Sequence, residues 1–309
     1  PEFNTIDFLI KFQKNDFANV KIEQHERFEF IDDLKDIMLY SYNWALYPNA
    51  IPGGKDIGYY LNGVYKESIS CLYNFWPRGG ISFAVFDSTT VLPWTSEYNG
   101  TSVGDLGNKH CKPYTMYAFN FPDSVKNNSS STQLWRNRII DFIDTIPDGS
   151  YVLAYLVPGS SGPFTETWGN DLYSSIEALG STMIRQVPNR CPWGLFVKKG
   201  DQNFSITEQK SDTTSGAVNF NVNVNSSWTQ GYWVSPTIGP AAEWKNLSWD
   251  YEVPDAVQEE FRLDVIGVDR YGVETVLISG ISAKSGTNSW LPLSFSLYRS
   301  DLHLCRTHP

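Results

Sequence analysis

This chain is poor in cysteine, histidine, methionine and positive charge, and it has no long apolar run. Each shortage closes a class of function. Its 309 residues include 4 Cys, 4 His and 3 Met. No Cys-x-x-Cys occurs, which argues against zinc ribbons and thioredoxin-type redox chemistry. Four cysteines are too few to be the main source of stability in a chain this long. Cys71, Cys111, Cys191 and Cys305 are candidates for structural bridges, and their even number permits three connectivities. None of His25, His110, His303 and His308 lies in a His-Glu-x-x-His pattern. Walker and Gly-x-Gly-x-x-Gly loops are absent as well. No metal site and no cofactor are expected. No apolar run approaches the roughly 18 residues of a membrane-spanning helix. The net charge of -10, with no basic run, is the opposite of what a nucleic-acid surface requires.

Aromatic residues are plentiful at 15 %, charged residues are modest at 19 %, and Asn, Ser, Thr and Gly are common. That profile suits a β-rich extracellular protein. Asn-x-Ser/Thr triplets at Asn99, Asn127, Asn128, Asn203, Asn225 and Asn246 carry little weight, because such a composition produces them by chance. The ends, Pro1-Glu2-Phe3 and Leu304 to Pro309, read as a piece of a longer polypeptide.

Three segments follow from the patterning. Residues 1–70 mix strands at Phe8–Phe12 and Val20–Glu23 with two expected helices, at Asp32–Tyr40 and Tyr59–Tyr73. This segment is expected to pack on the next domain. Residues 71–204 open with a strand at Ser82–Asp87. A helix then carries Leu134, Trp135, Ile139, Phe142, Ile143 and Ile146 on one face. The run Tyr151–Val157 is apolar at both parities, as in a strand buried on both faces. A second helix, Asn170–Leu179, stops at Gly180. A further buried strand follows at Trp193–Val197. From 205 to 309, short alternating runs recur without a helical pattern, as in an antiparallel sandwich: Ala217–Val224, Gly231–Ser235, Leu247–Tyr251, Arg262–Val268, Glu274–Ile278 and Leu293–Tyr298. The expected fold class is an α+β domain, with sheets flanked by helices, followed by an all-β antiparallel sandwich.

Several short motifs in residues 71–204 keep a characteristic order. They are Gly79-Gly80-Ile81 before the first strand, Asp148-Gly149 before the central one, and Leu179-Gly180-Ser181 after the second helix. Arg190-x-x-Trp193 then leads into Phe196 and Lys199-Gly200. In this set the segment resembles the lectin-like domain of the interleukin-like EMT inducer / pancreatic-derived factor family, also found as the stem domain of protein O-mannose N-acetylglucosaminyltransferase. The later segment resembles C-terminal sandwich regions of large Bacteroidota surface proteins. Such proteins often carry a gingipain-like peptidase domain and leave the cell by type IX secretion. The matching runs are Ser235 through Ala241, Trp244 to Trp249, and Gly267 through Leu277. The resemblances imply a bacterial cell-surface protein with a lectin-like module. Three departures bear on sugar binding. Pro158 to Gly162 has no carboxylate where sugar-binding members carry an acidic residue. Cys191 follows the motif arginine, where Asp is common. An insert spans Pro93 to Pro113.

Lectin sites stack sugar rings on aromatic faces and hold hydroxyls with polar side chains. Arg190 and Trp193 are the leading candidates by resemblance, with Arg78 as neighbour. Trp94, Tyr98, Tyr114 and Trp168, in polar loops, are candidates for an aromatic platform. No catalytic residue is assigned: His110-Cys111 is an adjacent pair, whereas dyads are assembled from distant positions. Asp141 and Asp144 fall on the expected solvent face of a helix. The reading is a non-catalytic cell-surface recognition or scaffolding region of a secreted bacterial protein, binding a glycan or an outer-membrane or surface protein. The alternatives are an accessory region of a type IX secretion-associated cysteine peptidase or sortase-like protein, and a structural subunit of an outer-membrane assembly.

Overall fold

The computed structural model describes residues 17–18, 20–23, 27–30, 33–47, 52–66, 79–95, 115–123, 129–227, 230–234, 247–250, 259–269, 271–282, 285–288 and 297–306. Among them the protein is mostly antiparallel β-sheet with two α-helices. In chain order the early strands are β1 (Phe17–Ala18), β2 (Val20–Glu23), β3 (Arg27–Phe30), β4 (Asp33–Tyr42), β5 (Gly58–Leu61), β6 (Val64–Lys66), β7 (Gly80–Phe86) and β8 (Phe119–Pro122). Helix α1 (Ser129–Thr145), β9 (Tyr151–Val157), helix α2 (Gly169–Ala178), β10 (Trp193–Lys198), β11 (Thr207–Lys210) and β12 (Ala217–Ser226) follow. The chain continues with β13 (Gln230–Val234), β14 (Leu247–Asp250), β15 (Glu259–Val268), β16 (Glu274–Ile281), β17 (Ser285–Asn288) and β18 (Leu297–Arg306).

These elements form two compact units, and the division is not the one expected from composition. One unit is Leu34–Ser226. The other joins Pro1–Asp33 to Ser227–Pro309. The first 70 residues are therefore shared out: β1 pairs with β13 in the second unit, whereas β4 to β6 build a sheet of the first. The expected boundary near 205 moves to 226/227. Beyond residue 204, β11 hydrogen-bonds to β10 and β12 to β4, so both belong with the helices. A composition shift marks where helices stop, but it cannot see which sheet a later strand joins.

Two expected helices are strands. At 32–40 the acidic cluster imitates a helix N-terminus. The burial has period two, however, with Ile37, Leu39 and Ser41 enclosed and Leu34 61 % exposed. Tyr59–Tyr73 opens as the hairpin β5–β6, with Leu61 opposite Val64 and Tyr59 opposite Lys66. Its turn is Asn62-Gly63, at φ 51° and 75°. Positive φ at both central residues matches the strand twist and favours this dipeptide. Residues 67–73 and the strand expected at Phe8–Phe12 lie outside the described residues.

Unit 34–226 has three layers, and β9 shows why. All seven of its residues are buried. Val152, Ala154 and Leu156 enter a core with Trp135, Ile139, Phe142, Leu172 and Ile176 from the two helices. Tyr151, Leu153, Tyr155 and Val157 enter a second core with Ile37, Leu39, Tyr59 and Leu61 of β4 and β5 and Val218, Phe220 and Val224 of β12. Alternation thus sends successive side chains to opposite layers. The central sheet, in the order β11-β10-β9-β7-β8, lies between the helices and the sheet β12-β4-β5-β6. A fully buried ring such as Phe83 or Phe142 contributes about 2–3 kcal/mol through area removed from water. Leu134, expected on the apolar face of α1, is 56 % exposed, and Trp135 takes the inward position beside it.

The other unit centres on β15. It pairs with β18 along ten residues and with β16 on its far side, in the sheet β1-β13-β18-β15-β16. Leu263, Val265, Ile266 and Val268 are its buried apolar residues among those described. The Asp269–Gly272 turn is closed by the Asp269 side chain, which accepts from the backbone N–H of Tyr271 (2.8 Å) and Val273 (2.9 Å). No helix among the described residues is long and apolar enough to cross a membrane.

Candidate functional site

Most of the motif residues that carry the resemblance hold the fold together. Glu208 on β11 is the clearest centre. Its carboxylate accepts from Ser181 Oγ (2.5 Å), Thr182 N (2.8 Å), Thr182 Oγ1 (3.0 Å), Met183 N (3.2 Å) and Trp193 Nε1 (2.8 Å). It thereby ties the end of α2 and the Leu-Gly-Ser motif to strand β10. Lys199 closes the opposite end of the unit. Its ammonium donates to the carbonyl oxygens of Ile143 (2.8 Å) and Ile146 (2.6 Å), which lie at the C-terminal end of α1, where a cation is favoured. Gly149 N donates to Lys199 O at 2.7 Å, joining the Asp-Gly and Lys-Gly motifs. Gly79 has φ 69°, and a Cβ there would collide with the carbonyl oxygens of Val157 and Gly162. Only glycine lets the first strand start against the loop that leaves β9.

Arg190 is different. It is half-buried in the loop before β10 and takes φ 63° without being glycine. Two segments hold its backbone. Its N–H donates to Pro163 O at 2.9 Å, and its carbonyl accepts from Asn43 Nδ2 at 3.4 Å. Asn43 is fully buried, and its Oδ1 caps the short turn Trp44–Leu46 by accepting from Ala45 N. Phe164, 36 % exposed, and Trp44, half-buried, thus stand one residue from the two points that hold Arg190. Arg190 Nε is sealed from solvent with no hydrogen-bond partner, and the side chain makes no ion pair among the described residues. A buried donor left unpaired costs about 1–3 kcal/mol. The strained backbone conformation adds to that cost.

The loop after β9, Pro158 to Gly162, is closed by Gly159 N donating to Gly162 O at 2.7 Å. Asp123, at the end of β8, is buried and accepts from Phe164 N at 3.3 Å, while its own N–H donates to Gly79 O. Sequence reasoning missed Asp123, and the only available signal was a carboxylate directly after an apolar strand ending in proline.

The other expected ligand residues have different fates. Trp193 is wholly buried, and its indole N–H is already used by Glu208. No ring face remains for a sugar. Trp168 is likewise wholly buried, with its ring centroid 5.7 Å from that of Trp135 and 6.3 Å from that of Tyr173. The indole N–H groups of Trp135 and Trp168 are both buried without a partner. Trp94 is partly buried, with its ring edge-on to Phe119 at 6.5 Å, and it leans on the helix-side core. Arg78, Tyr98 and Tyr114 lie outside the described residues. The expected platform of Trp94, Tyr98, Tyr114 and Trp168 therefore loses Trp168, because an indole offers enough apolar surface that packing under a loop wins over exposure to water.

Cys191 is a buried free thiol, so its candidacy for a bridge is withdrawn. Burial first, then the nearby Asp212 carboxylate, push the thiol pKa up, against smaller opposing effects of Lys210 and Arg190. It is protonated at neutral pH and poorly nucleophilic. Cys305 lies on β18 opposite Gln230 and Glu260. Cys71 and the His110-Cys111 pair lie outside the described residues. So does Gly100-Thr101-Ser102-Val103-Gly104, a Gly-x-Ser-x-Gly string that is recognised as a nucleophile elbow only between a strand and a helix. Asp141 and Asp144 are exposed on α1, as expected. Among the described residues no three His, Cys, Asp or Glu side chains gather as metal ligands.

Neither a protein-family model nor a curated protein sequence matches the chain. The chemistry of the site therefore rests on its own geometry. Arg190 keeps one buried donor, Nε, without an acceptor, and two partly exposed aromatic residues, Trp44 and Phe164, adjoin in sequence the residues that hold its backbone.

Proposed function

We propose that residues 34–226 are a lectin-like recognition module that binds a glycan or a partner protein at the Arg190 loop. The chain would then act as a non-catalytic region of a secreted, surface-located bacterial protein of the type IX-associated kind. The observation that carries the reading is Arg190 itself. Its backbone is strained and doubly held, and its Nε is buried with no acceptor. An unpaired buried donor lowers stability, and opening of the loop on binding would let a ligand oxygen satisfy it. Glycan oxygens suit it, and so do the carbonyl or carboxylate oxygens of a protein surface. Aromatic surface at Trp44 and Phe164 supplies the apolar contact that a pyranose face needs. A glycan array with the intact chain and Arg190→Ala tests this. The expected result is binding that is lost in the variant at an unchanged melting temperature. Array binding that survives Arg190→Ala would remove the site. No array binding, followed by an outer-membrane pull-down insensitive to Arg190→Ala, would end the reading in both forms.

A second reading, a structural subunit of an outer-membrane assembly, draws on the other unit. Around β16, Tyr271 is 74 % exposed, and Val273 and Val276 are each 58 % exposed. Tyr271 and Val273 lie in the turn before β16 and Val276 on the strand itself, and exposed apolar groups this close in the chain suit a contact surface.

A further inference from the structure

A sheet edge is a hazard, because its free N–H and C=O groups invite another strand. Proteins blunt edges by keeping them short or by placing charge or proline on them. In unit 34–226, three of the four terminal strands follow this rule. β6 has three residues and ends in Lys66. β8 has four and ends in Pro122. β11 has four, among them Glu208 and Lys210. The fourth, β12, breaks it. It is ten residues long, Ala217-Val-Asn-Phe-Asn-Val-Asn-Val-Asn-Ser226, with no charge, no proline and no glycine. In its sheet it hydrogen-bonds to β4 on one side and, among the described residues, is terminal on the other. Asn219, Asn221, Asn223 and Asn225 form an exposed row on one face, while Val218, Phe220 and Val224 enter the core on the other.

We propose that β12 is a pairing edge for a second copy of this chain, joined antiparallel about a two-fold axis at Val222. The occupant follows from the strand's self-complementarity. Opposed residues in an antiparallel pair share a face. Centring on Val222 sets Asn221 against Asn223, Asn219 against Asn225, and Phe220 against Val224. The solvent faces and the core faces of the two sheets then align, whereas a one-residue slip would set asparagine against valine or phenylalanine. A carboxamide is both donor and acceptor and therefore pairs with another of its kind. Charge points the same way. A chain of net charge -10 repels its copies, and β12 is a ten-residue stretch that adds nothing to that repulsion. The joined sheets would run to eight strands. Edge pairing alone is a small interface, so the product is a concentration-dependent dimer that salt strengthens by screening. The inference is independent of whether Arg190 binds a glycan.

Sedimentation of the full chain tests it. The expected mass rises from 35.0 kDa toward twice that value with concentration. Asn221→Lys with Asn223→Lys sets like charges opposite each other twice and should weaken the dimer by roughly tenfold or more. Asn221→Lys with Asn223→Glu sets Lys against Glu in the same register and should restore it. Both pairs of substitutions are at exposed positions and should melt with the parent. In the unaltered chain, amide exchange across 217–226 should slow as concentration rises. A chain that stays monomeric throughout, a dimer indifferent to the double lysine, no recovery in the charge-paired variant, or exchange independent of concentration would each overturn the proposal.

Discussion

Arg190 and Trp193 are three residues apart in one motif, yet they belong to different economies of interaction. At Trp193 everything is matched: the ring is enclosed, and its single donor meets a carboxylate that also gathers Ser181, Thr182 and Met183. At Arg190 the backbone is held in place, but the side chain's Nε is left without a partner. Nearness in a motif therefore does not imply a shared role. The tryptophan end builds the fold, whereas the arginine end leaves one buried donor unpaired.

The largest consequence is expected at the matched end. Trp193→Ala would open a cavity beneath β10 and strand part of the Glu208 network, costing about 4 kcal/mol in chemical denaturation. A loss below about 1 kcal/mol would mean that the ring is not the structural member of the pair. Glu208→Ala should follow at about 2 kcal/mol, since one change leaves several donors unpaired. Ser181→Ala, which removes only one of them, should cost less. Cys191 lies between the two ends and reports where the closed region begins. Its raised thiol pKa means less thiolate at pH 8. Alkylation mapped to that position should be slow in native protein and fast after unfolding, and rapid native labelling would place Cys191 on the open side. The smallest change in stability is expected for Arg190→Gly. Glycine takes φ 63° without strain, so stability should shift by no more than about 1 kcal/mol, with a gain possible, while ligand binding disappears. A large loss of stability there would show that Arg190 is a fold residue as well, and the contrast would collapse.

Much of the helix-bearing unit was legible in advance. There the two helices, the doubly buried Tyr151–Val157 and the strand at Trp193 all stand where their patterns place them, as does Val20–Glu23 in the other unit. The errors have a common cause. Asp32–Tyr40 and Tyr59–Tyr73 carry apolar residues at spacings that suit either a helix or a strand, and the deciding signal at the second, Asn62-Gly63, was two residues long. Trp168 looked like a loop residue because its neighbours are polar, and only the packing of Trp135 and Tyr173 around it says otherwise.

The amino-acid order was enough to set the periods of several strands and the stops of the helices, because those depend on local composition and neighbours in sequence. Pairing between distant segments was not contained in it. The first strands divide between two units, β12 closes a sheet with β4, and a glutamate on β11 claims the tryptophan of a motif fifteen residues earlier. Burial and hydrogen-bond satisfaction are properties of what surrounds a group in space. For that reason the difference between Arg190 and Trp193 became visible only once the chain was folded.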